Sequence, residues 1–350
     1  MRWVVGILVV AACGDAVSGT THVSPPLAPL DARDASLAPA SGDDAGQVPV
    51  LASDAGGGGG DAEPAPPTCS GKTGSAGDRL LTLTSGAFAR DSLLHVPPSY
   101  DPAAGAMLVL NFHGFGSNGP EQVLLTGMNP VADARGFLVA YPDGLGNGWN
   151  AGDCCTEAQP SGVDDVQFVR DLLALVESQY CVDPRRVYAT GFSNGGFMTH
   201  RLGCAMADTF AAIAPISGVL GIPRDTCRPS RPVPVLDMHG TADPVVPYDG
   251  GPALKLLPPI QFRSVDTTVS FWRSADSCLG APDVVYAKGD ATCVLWSDCG
   301  GGADVEQCTL SGDGHQWPGS SVVVPGLGNV STSIDATAAI AAWFFAHPMP

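Results

Sequence analysis

Positive charge is scarce in this chain of 350 residues. It holds 17 lysines and arginines against 35 aspartates and glutamates, a formal net charge of −18. So acidic a surface repels phosphate backbones and anionic lipid heads, which argues against nucleic acid or a bare membrane surface as a partner. Long apolar runs are scarce near the start: the stretch from Trp3 to Val10 is too short to span a bilayer as a helix. No two cysteines have the Cys-x-x-Cys spacing of a zinc site, although the chain has 11. Disulfides in an oxidising compartment explain that number better than a metal does. Aromatic residues are almost missing between Gly14 and Thr68, where Ala, Pro, Asp, Ser and Gly dominate. Such a segment buries too little apolar surface to offset its ordering entropy, and reads as a flexible tether.

What is present gives the chain its organisation. Met1-Arg2 is a short basic start, and the apolar run after it ends in Val10-Ala11-Ala12-Cys13. Small residues before a cysteine resemble a bacterial lipoprotein signal, with Cys13 as the lipidated new N-terminus. Using Cys13 in this way leaves ten cysteines, an even number. The expected organisation is a signal over 1–12, a disordered tether over 13–68 and one folded domain over 69–350.

Within that domain, apolar runs alternate with helical patterns. Strands are expected at Leu80–Thr84, Leu93–Val96, Met107–Phe112, Phe137–Tyr141, Val187–Thr190, Ala211–Ile216 and Val305–Leu310. Val233–Met238 is a further candidate weakened by Pro234, which cannot donate to a ladder. Helices are expected over Asp164–Val176, Asn194–Ala207, Asp266–Asp276 and Asp335–Ala346. In the first of these Val166, Val169, Leu173 and Val176 share a face, and acids at its start suit the positive helix end. The pattern predicts an α/β fold with a mostly parallel central sheet flanked by helices.

The chemistry centres on Gly191-Phe192-Ser193-Asn194-Gly195, where a strand meets a helix. A serine on so sharp a turn exposes its hydroxyl, and the glycines let neighbouring backbones pass close by. The Asn194 amide then sits at a helix N-terminus, aimed where an oxyanion would form. Bare Gly-x-Ser-x-Gly arises often by chance, so partners decide the matter. In this fold class the order is serine, acid, histidine. Three histidines follow Ser193. His347 lies near the end of the chain, where fraying is expected. His239 precedes its own acid. His315, in the glycine-rich loop Gly312–Gly319, is the expected base. Asp243, in a loop just beyond a strand, is the expected acid in preference to Asp237 or Asp249. The second oxyanion donor is expected in His113-Gly114-Phe115-Gly116, at Phe115 or alternatively Gly114.

Taken together, these pieces resemble the α/β-hydrolase superfamily. More narrowly they resemble the secreted esterases that include polyhydroxybutyrate depolymerase-like enzymes and feruloyl or acetylxylan esterases. The segments that carry the likeness are His113–Asn118, Tyr141–Gly144, Trp149-Asn150, Cys154-Cys155, Val163–Val166, Cys181–Tyr188, Gly191–Gly196, His239–Asp243 and Gly314–Gly319. They run in order from about residue 80 onward, and the tether lies outside them. The resemblance implies a Ser193–His315–Asp243 triad, an acyl-enzyme, no metal or organic cofactor, and an ester substrate. That substrate would be a polyester or an ester-substituted polysaccharide. The protein would be exported, as a cell-envelope lipoprotein or an extracellular enzyme, and monomeric. A peptidase on the same scaffold, or a silent surface-binding protein, are the alternatives. Trp149, Phe192 and Trp317, with Phe115, are candidate pocket walls, ordinary core packing being the competing explanation.

Position along the chain also suggests disulfides. Neighbouring cysteines rarely bond to each other. Cys154 and Cys155 are therefore expected to bond to Cys181 and Cys204, in either order. Cys278–Cys299 and Cys293–Cys308 are expected in the C-terminal third, which leaves Cys69 for Cys227.

Overall fold

The computed structural model describes residues 69–155, 163–253 and 260–350. The expected signal, Cys13 and the expected tether all lie outside the described residues. Among the described residues, no helix is long and apolar enough to cross a membrane.

In chain order the strands are β1 (Arg79–Ser85), β2 (Phe88–His95), β3 (Ala106–Phe112), β4 (Leu138–Pro142), β5 (Val182–Phe192), β6 (Ala212–Ile216), β7 (Val235–Gly240), β8 (Gly251–Ala253), β9 (Ile260–Phe262), β10 (Asp283–Lys288), β11 (Ala291–Trp296) and β12 (Val305–Leu310). The helices are α1 (Gly119–Thr126), α2 (Met128–Arg135), α3 (Asp165–Gln179), α4 (Asn194–Ala205), α5 (Val265–Ala275) and α6 (Ala336–Ala346).

Ten strands form one sheet in the order β1-β2-β4-β3-β5-β6-β7-β12-β11-β10, and β8 and β9 form a separate pair. Its centre, from β4 to β12, is parallel. Antiparallel strands extend both edges. The central runs are apolar because both faces are covered: β4, β6 and β7 are buried at every residue. On one face, Phe168 and Leu172 of α3, Phe197 and Leu202 of α4, and Trp272 of α5 belong to a single core. On the other, Met128 and Ala132 of α2 and Ile340 and Phe344 of α6 form a second core, with Phe344 stacked on Tyr188 at 4.6 Å.

Strand order places the site. From β3 the chain crosses to β4 on one side, while β5 leads on to β6 on the other. The loops after β3 and β5 therefore diverge, and a crevice opens at the carboxyl ends of these neighbours. Register brings Phe112 opposite Gly191, the last residues before His113 and close to Ser193.

Where the sequence expectations missed, the reasons are local. β7 begins at Val235, one residue after Pro234, as the missing amide requires. Helices α1 and α2 were not anticipated: each is only eight residues long, too short for periodicity to register. Nor was the hairpin of β10 and β11, whose outer strand carries Val284 and Val285 side by side in solvent with a bulge before Tyr286. His347 does not fray. Its Nδ1 lies 2.8 Å from the Trp343 carbonyl and its Nε2 2.9 Å from Asp304 Oδ2.

The disulfides need correction in three of five pairs. Cys278–Cys299 and Cys293–Cys308 are formed as expected. The others are Cys69–Cys181, Cys154–Cys155 and Cys204–Cys227. Distance along the sheet is the reason. Cys181 precedes an 11-residue strand whose far end carries Ser193. At about 3.3 Å per residue, that strand holds Cys181 more than about 30 Å from the site edge. It meets Cys69 instead, because Thr73 and Gly74 donate their amides to the Gln179 carbonyl just beside it. Cys204 lies at the last turn of α4, about 15 Å along the helix from Ser193. Cys154 and Cys155 are left to each other, with Cys155 at φ +65°.

Candidate active site

Ser193 is the turning point between β5 and α4. Its φ of +55° and ψ of −120° are unusual for a residue with a side chain. Its amide donates to the Ile216 carbonyl at 2.9 Å. The flanking glycines explain how the turn fits. A Cβ on Gly191 would lie 2.5 Å from the Gly195 carbonyl oxygen and 2.8 Å from that of Phe112. A Cβ on Gly195 would lie 2.1 Å from the Phe112 carbonyl oxygen. The elbow is thus pressed against the end of β3, and only residues without a side chain permit it.

The loop after β3 lies against the serine from the other side. A Cβ on Gly114 would be 3.4 Å from Ser193 Cβ and 3.3 Å from Phe192 Cδ1. Ser117 donates its amide to the Gly114 carbonyl, closing a turn with Phe115 and Gly116 in the middle and Gly116 at φ +80°. His113 fixes this loop. The Gly144 amide donates to His113 Nε2 at 3.0 Å, so that nitrogen carries no proton. Nδ1 therefore holds the hydrogen and donates it to the Gly114 carbonyl at 2.7 Å. Burial pushes the imidazole down to about 4, and the Gly114 bond only partly opposes it.

A pH dependence follows. The unfolded chain takes up this proton near pH 6.5, the folded chain only near 4, so the stability that His113 contributes is complete above about pH 6.5 and is lost as pH falls towards 4. The full amount is about 3 kcal/mol. Urea unfolding of the wild type between pH 7 and pH 4 should show a steeper loss than His113→Gln. Equal slopes would remove His113 from this role.

Trp149 and Asn194 form a clamp that residue patterns alone did not reveal. The Asn194 side chain accepts from the Trp149 amide at 2.6 Å and donates to its carbonyl at 3.2 Å. The Trp149 indole donates to the His113 carbonyl at 2.8 Å. One tryptophan therefore links the turn after β3 to the start of α4. It is fully buried between Phe112 and Phe168, so it buttresses the site and is not a pocket wall. Trp317 is corrected in the same way: it is buried, and its indole donates to Thr337. Phe192 is 6% exposed, and its ring lies 4.8 Å from that of His315. Asp165, expected only to favour the start of α3, is buried and paired with Arg90 at 2.8 Å, and it accepts the Asn150 amide.

Asp243 and His315 meet as expected from the sequence. His315 Nδ1 lies 2.6 Å from Asp243 Oδ2, in a buried contact. With Nδ1 as donor to the carboxylate, Nε2 is the unprotonated nitrogen of a neutral ring. Asp243 Oδ1 accepts the amides of Val245 and Val246, each at 2.8 Å. Burial works to raise the Asp243 carboxyl, but the charge of His315 and the hydrogen bonds of both His239 and His315 hold it well below the usual carboxylate range. The His315 loop is pinned by the segment beyond it: the His315 amide donates to the Leu327 carbonyl, and the Gln316 side chain bonds Val324 and Gly328. His239, set aside as a base from its order, lies on the other side of the same carboxylate.

A parallel sheet with a serine elbow at its switch point, and a histidine–aspartate pair beside it, defines an α/β-hydrolase. The family described as phospholipase/carboxylesterase matches residues 165–257, which hold both Ser193 and Asp243. The chain is 36% identical over 243 residues to "Putative esterase NocK" of Nocardia uniformis subsp. tsuyamanensis, covering 65% of this chain and 70% of that protein. It is 34% identical over 234 residues to feruloyl esterase B of Piromyces equi, covering 65% of this chain but only 42% of that longer protein. In three dimensions it is similar to the acetyl xylan esterase from Aspergillus awamori, with a TM-score of 0.54 and 15% identity over 77% of this chain and 99% of the other. That last likeness speaks for the fold. This protein belongs to the α/β-hydrolase esterases.

Proposed function

We propose that this protein hydrolyses carboxylic esters by acyl transfer, with Ser193 as nucleophile, His315 as base and Asp243 as the group that orients the imidazole. The observation that carries the reading is the 2.6 Å contact from His315 Nδ1 to Asp243 Oδ2, in a loop whose imidazole rests on the residue before Ser193. Ser193 Oγ attacks the ester carbonyl carbon while His315 Nε2 takes its proton. The amides of Asn194 and Phe115 stabilise the tetrahedral oxyanion. His315 then returns the proton to the departing alcohol. Water, deprotonated by the same nitrogen, cleaves the acyl-enzyme, releasing the acid and freeing Ser193.

The substrate class we favour is a feruloyl or acetyl ester of a plant polysaccharide, a reading supported by the names of the relatives. A panel of methyl ferulate, acetylated xylan, short p-nitrophenyl esters, short-chain polyhydroxyalkanoate and a chromogenic peptide tests it. Feruloyl or acetyl esters should be turned over at least tenfold faster than the polyester or the peptide. Faster peptide cleavage would replace the esterase reading with a peptidase.

Export belongs to the same proposal, with residues 1–12 as signal, 13–68 as tether and Cys13 as lipid attachment site. The five disulfides support an oxidising compartment. Cys13→Ser should move the protein from the membrane fraction to the soluble one, and an unchanged distribution argues against the anchor.

A further inference from the structure

Behind Asp243 lies a buried row of ionisable groups that acyl transfer by the triad does not use. His239 is fully buried at the end of β7. Its Nε2 lies 2.8 Å from the Val246 carbonyl and 3.2 Å from Asp243 Oδ2. Both are acceptors, so Nε2 carries a hydrogen and shares it between them. Its Nδ1 is buried and has no hydrogen-bond partner. Two residues earlier on the same face of the strand is Asp237, 1% exposed, and neither of its carboxylate oxygens has a hydrogen-bond partner. Beyond Asp237, on α4, is His200, whose Nε2 stands 3.5 Å from Asp237 Oδ2. The Trp272 indole donates to His200 Nδ1 at 3.0 Å, so that nitrogen is the unprotonated one and Nε2–H faces the carboxylate.

Two orphans on one buried face point to a missing proton. A neutral His239 leaves a lone pair at Nδ1 with no donor, beside a carboxylate with almost no donors of its own. Such groups are costly to bury. A proton on Nδ1 makes an imidazolium that contacts Asp243 through Nε2–H, with the Asp237 carboxylate, two residues back on the same strand face, as its counter-charge. We propose that His239 is a positioning residue for the Asp243–His315 pair: a buried imidazolium, balanced by Asp237, that grips Asp243 Oδ2 and tempers the negative charge felt by His315. Its other titratable neighbours are Tyr248, whose ring meets it edge-on at 6.0 Å, and His200 across Asp237, while in the His315 loop burial, joined by the charge of Asp243, raises the Asp313 carboxyl. Burial opposes a charge on His239, but the hydrogen bond and charge of Asp243 and the charge of Asp237 outweigh it and raise its proton affinity above the ordinary value.

The proposal rests on the reading of Ser193, His315 and Asp243 as the triad, and its test has a readout apart from activity. Nitrogen-15 spectra of the wild type, with His239 assigned by comparison with His239→Gln, should show both ring nitrogens protonated at pH 7. A neutral ring at that pH overturns the proposal even if the enzyme is fully active. In kinetics, His239→Gln removes a positive charge that faces Asp243. The acid limb of the kcat/KM–pH profile should therefore move about one unit to higher pH. Asp237→Asn, which removes the balancing charge and lets His239 lose its proton, should move the limb the same way by less, and the double variant should match Asp237→Asn and not exceed His239→Gln. A residue that only fills space would lower activity at every pH and leave the limb in place, and that outcome also overturns the proposal. If His239→Gln does not fold, Asp237→Asn supplies the kinetic arm, and selective labelling with the six other histidines excluded by their own variants supplies the assignment. Loss of the triad reading itself would appear as an active Ser193→Ala protein whose His239 spectrum is unchanged.

Discussion

Ser193→Ala should lower ester turnover by about 10⁴- to 10⁶-fold, with the fold intact, and His315→Ala and Asp243→Asn should each cost about 10⁴-fold or more. The serine change removes one oxygen from a turn whose backbone is set by Gly191, Gly195 and the Ser193 amide, so near- and far-ultraviolet circular dichroism should be unchanged. Asp243→Asn is more than the loss of a charge. Asp243 Oδ2 faces two imidazole N–H groups, and an amide nitrogen turned towards them would set donor against donor. The variants should also be non-additive, because each removes the same proton transfer. Stopped-flow measurement of acyl-enzyme formation with a p-nitrophenyl ester separates loss of attack from loss of deacylation. A His315→Ala protein with near-normal turnover would overturn the assignment and leave His239 as the base. The geometry argues against that outcome: His239 Nε2 is already committed to Val246 and Asp243, and its ring has no exposure.

Gly195→Ala should be severely damaging for a single methyl group. The added carbon would lie 2.1 Å from the Phe112 carbonyl oxygen, 2.6 Å from its carbon and 2.7 Å from the His113 carbonyl oxygen. These are backbone atoms of a central strand, so no rotamer change relieves the overlap. Either β3 or α4 must move, at a cost of about 3 kcal/mol or more. The same movement would draw the Gly114–Gly116 turn away from Ser193. Esterase activity should therefore fall at temperatures where the protein is still folded. Gly86→Asn is the matched control: Gly86 has φ +58° with nothing near its Cβ position, and asparagine tolerates that conformation. Its melting temperature should stay within a few degrees of wild type. Equal melting temperatures for Gly195→Ala and wild type would show that the elbow does not depend on this contact.

Much of the fold was legible because its centre is simple in pattern. Runs such as Met107–Phe112 and Phe137–Tyr141 are apolar at nearly every residue, the mark of strands covered on both faces. α3 carries its apolar face at helical spacing and is capped by Asp164, which accepts the Gln167 amide. The candidate serine, acid and histidine were chosen because the fold class imposes an order, and because each lies just beyond a strand. The misses fall where pattern is short or where distance in space decides. α1 and α2 carry too few residues for a period, and β10 is an edge with adjacent valines in solvent. The tryptophans were read as pocket walls because an aromatic near a motif looks like a binding surface; burial alone shows them to be braces.

The sequence by itself determined an α/β chain with Ser193 at a glycine-bounded turn, Asp243 and His315 in later loops, and a cysteine count that favours disulfides. These follow from local chemistry: period, turn residues and the order of groups along one chain. Only the tertiary structure decided which cysteines meet, that Trp149 ties His113 to Asn194, and that His239, Asp237 and His200 stand in a row behind Asp243. Such contacts join residues tens of positions apart, and they depend on which strands are neighbours and where each one ends. No local preference carries that information. It arises when the parallel sheet sets residues from β3, β5, β7 and the loop beyond β12 along one edge.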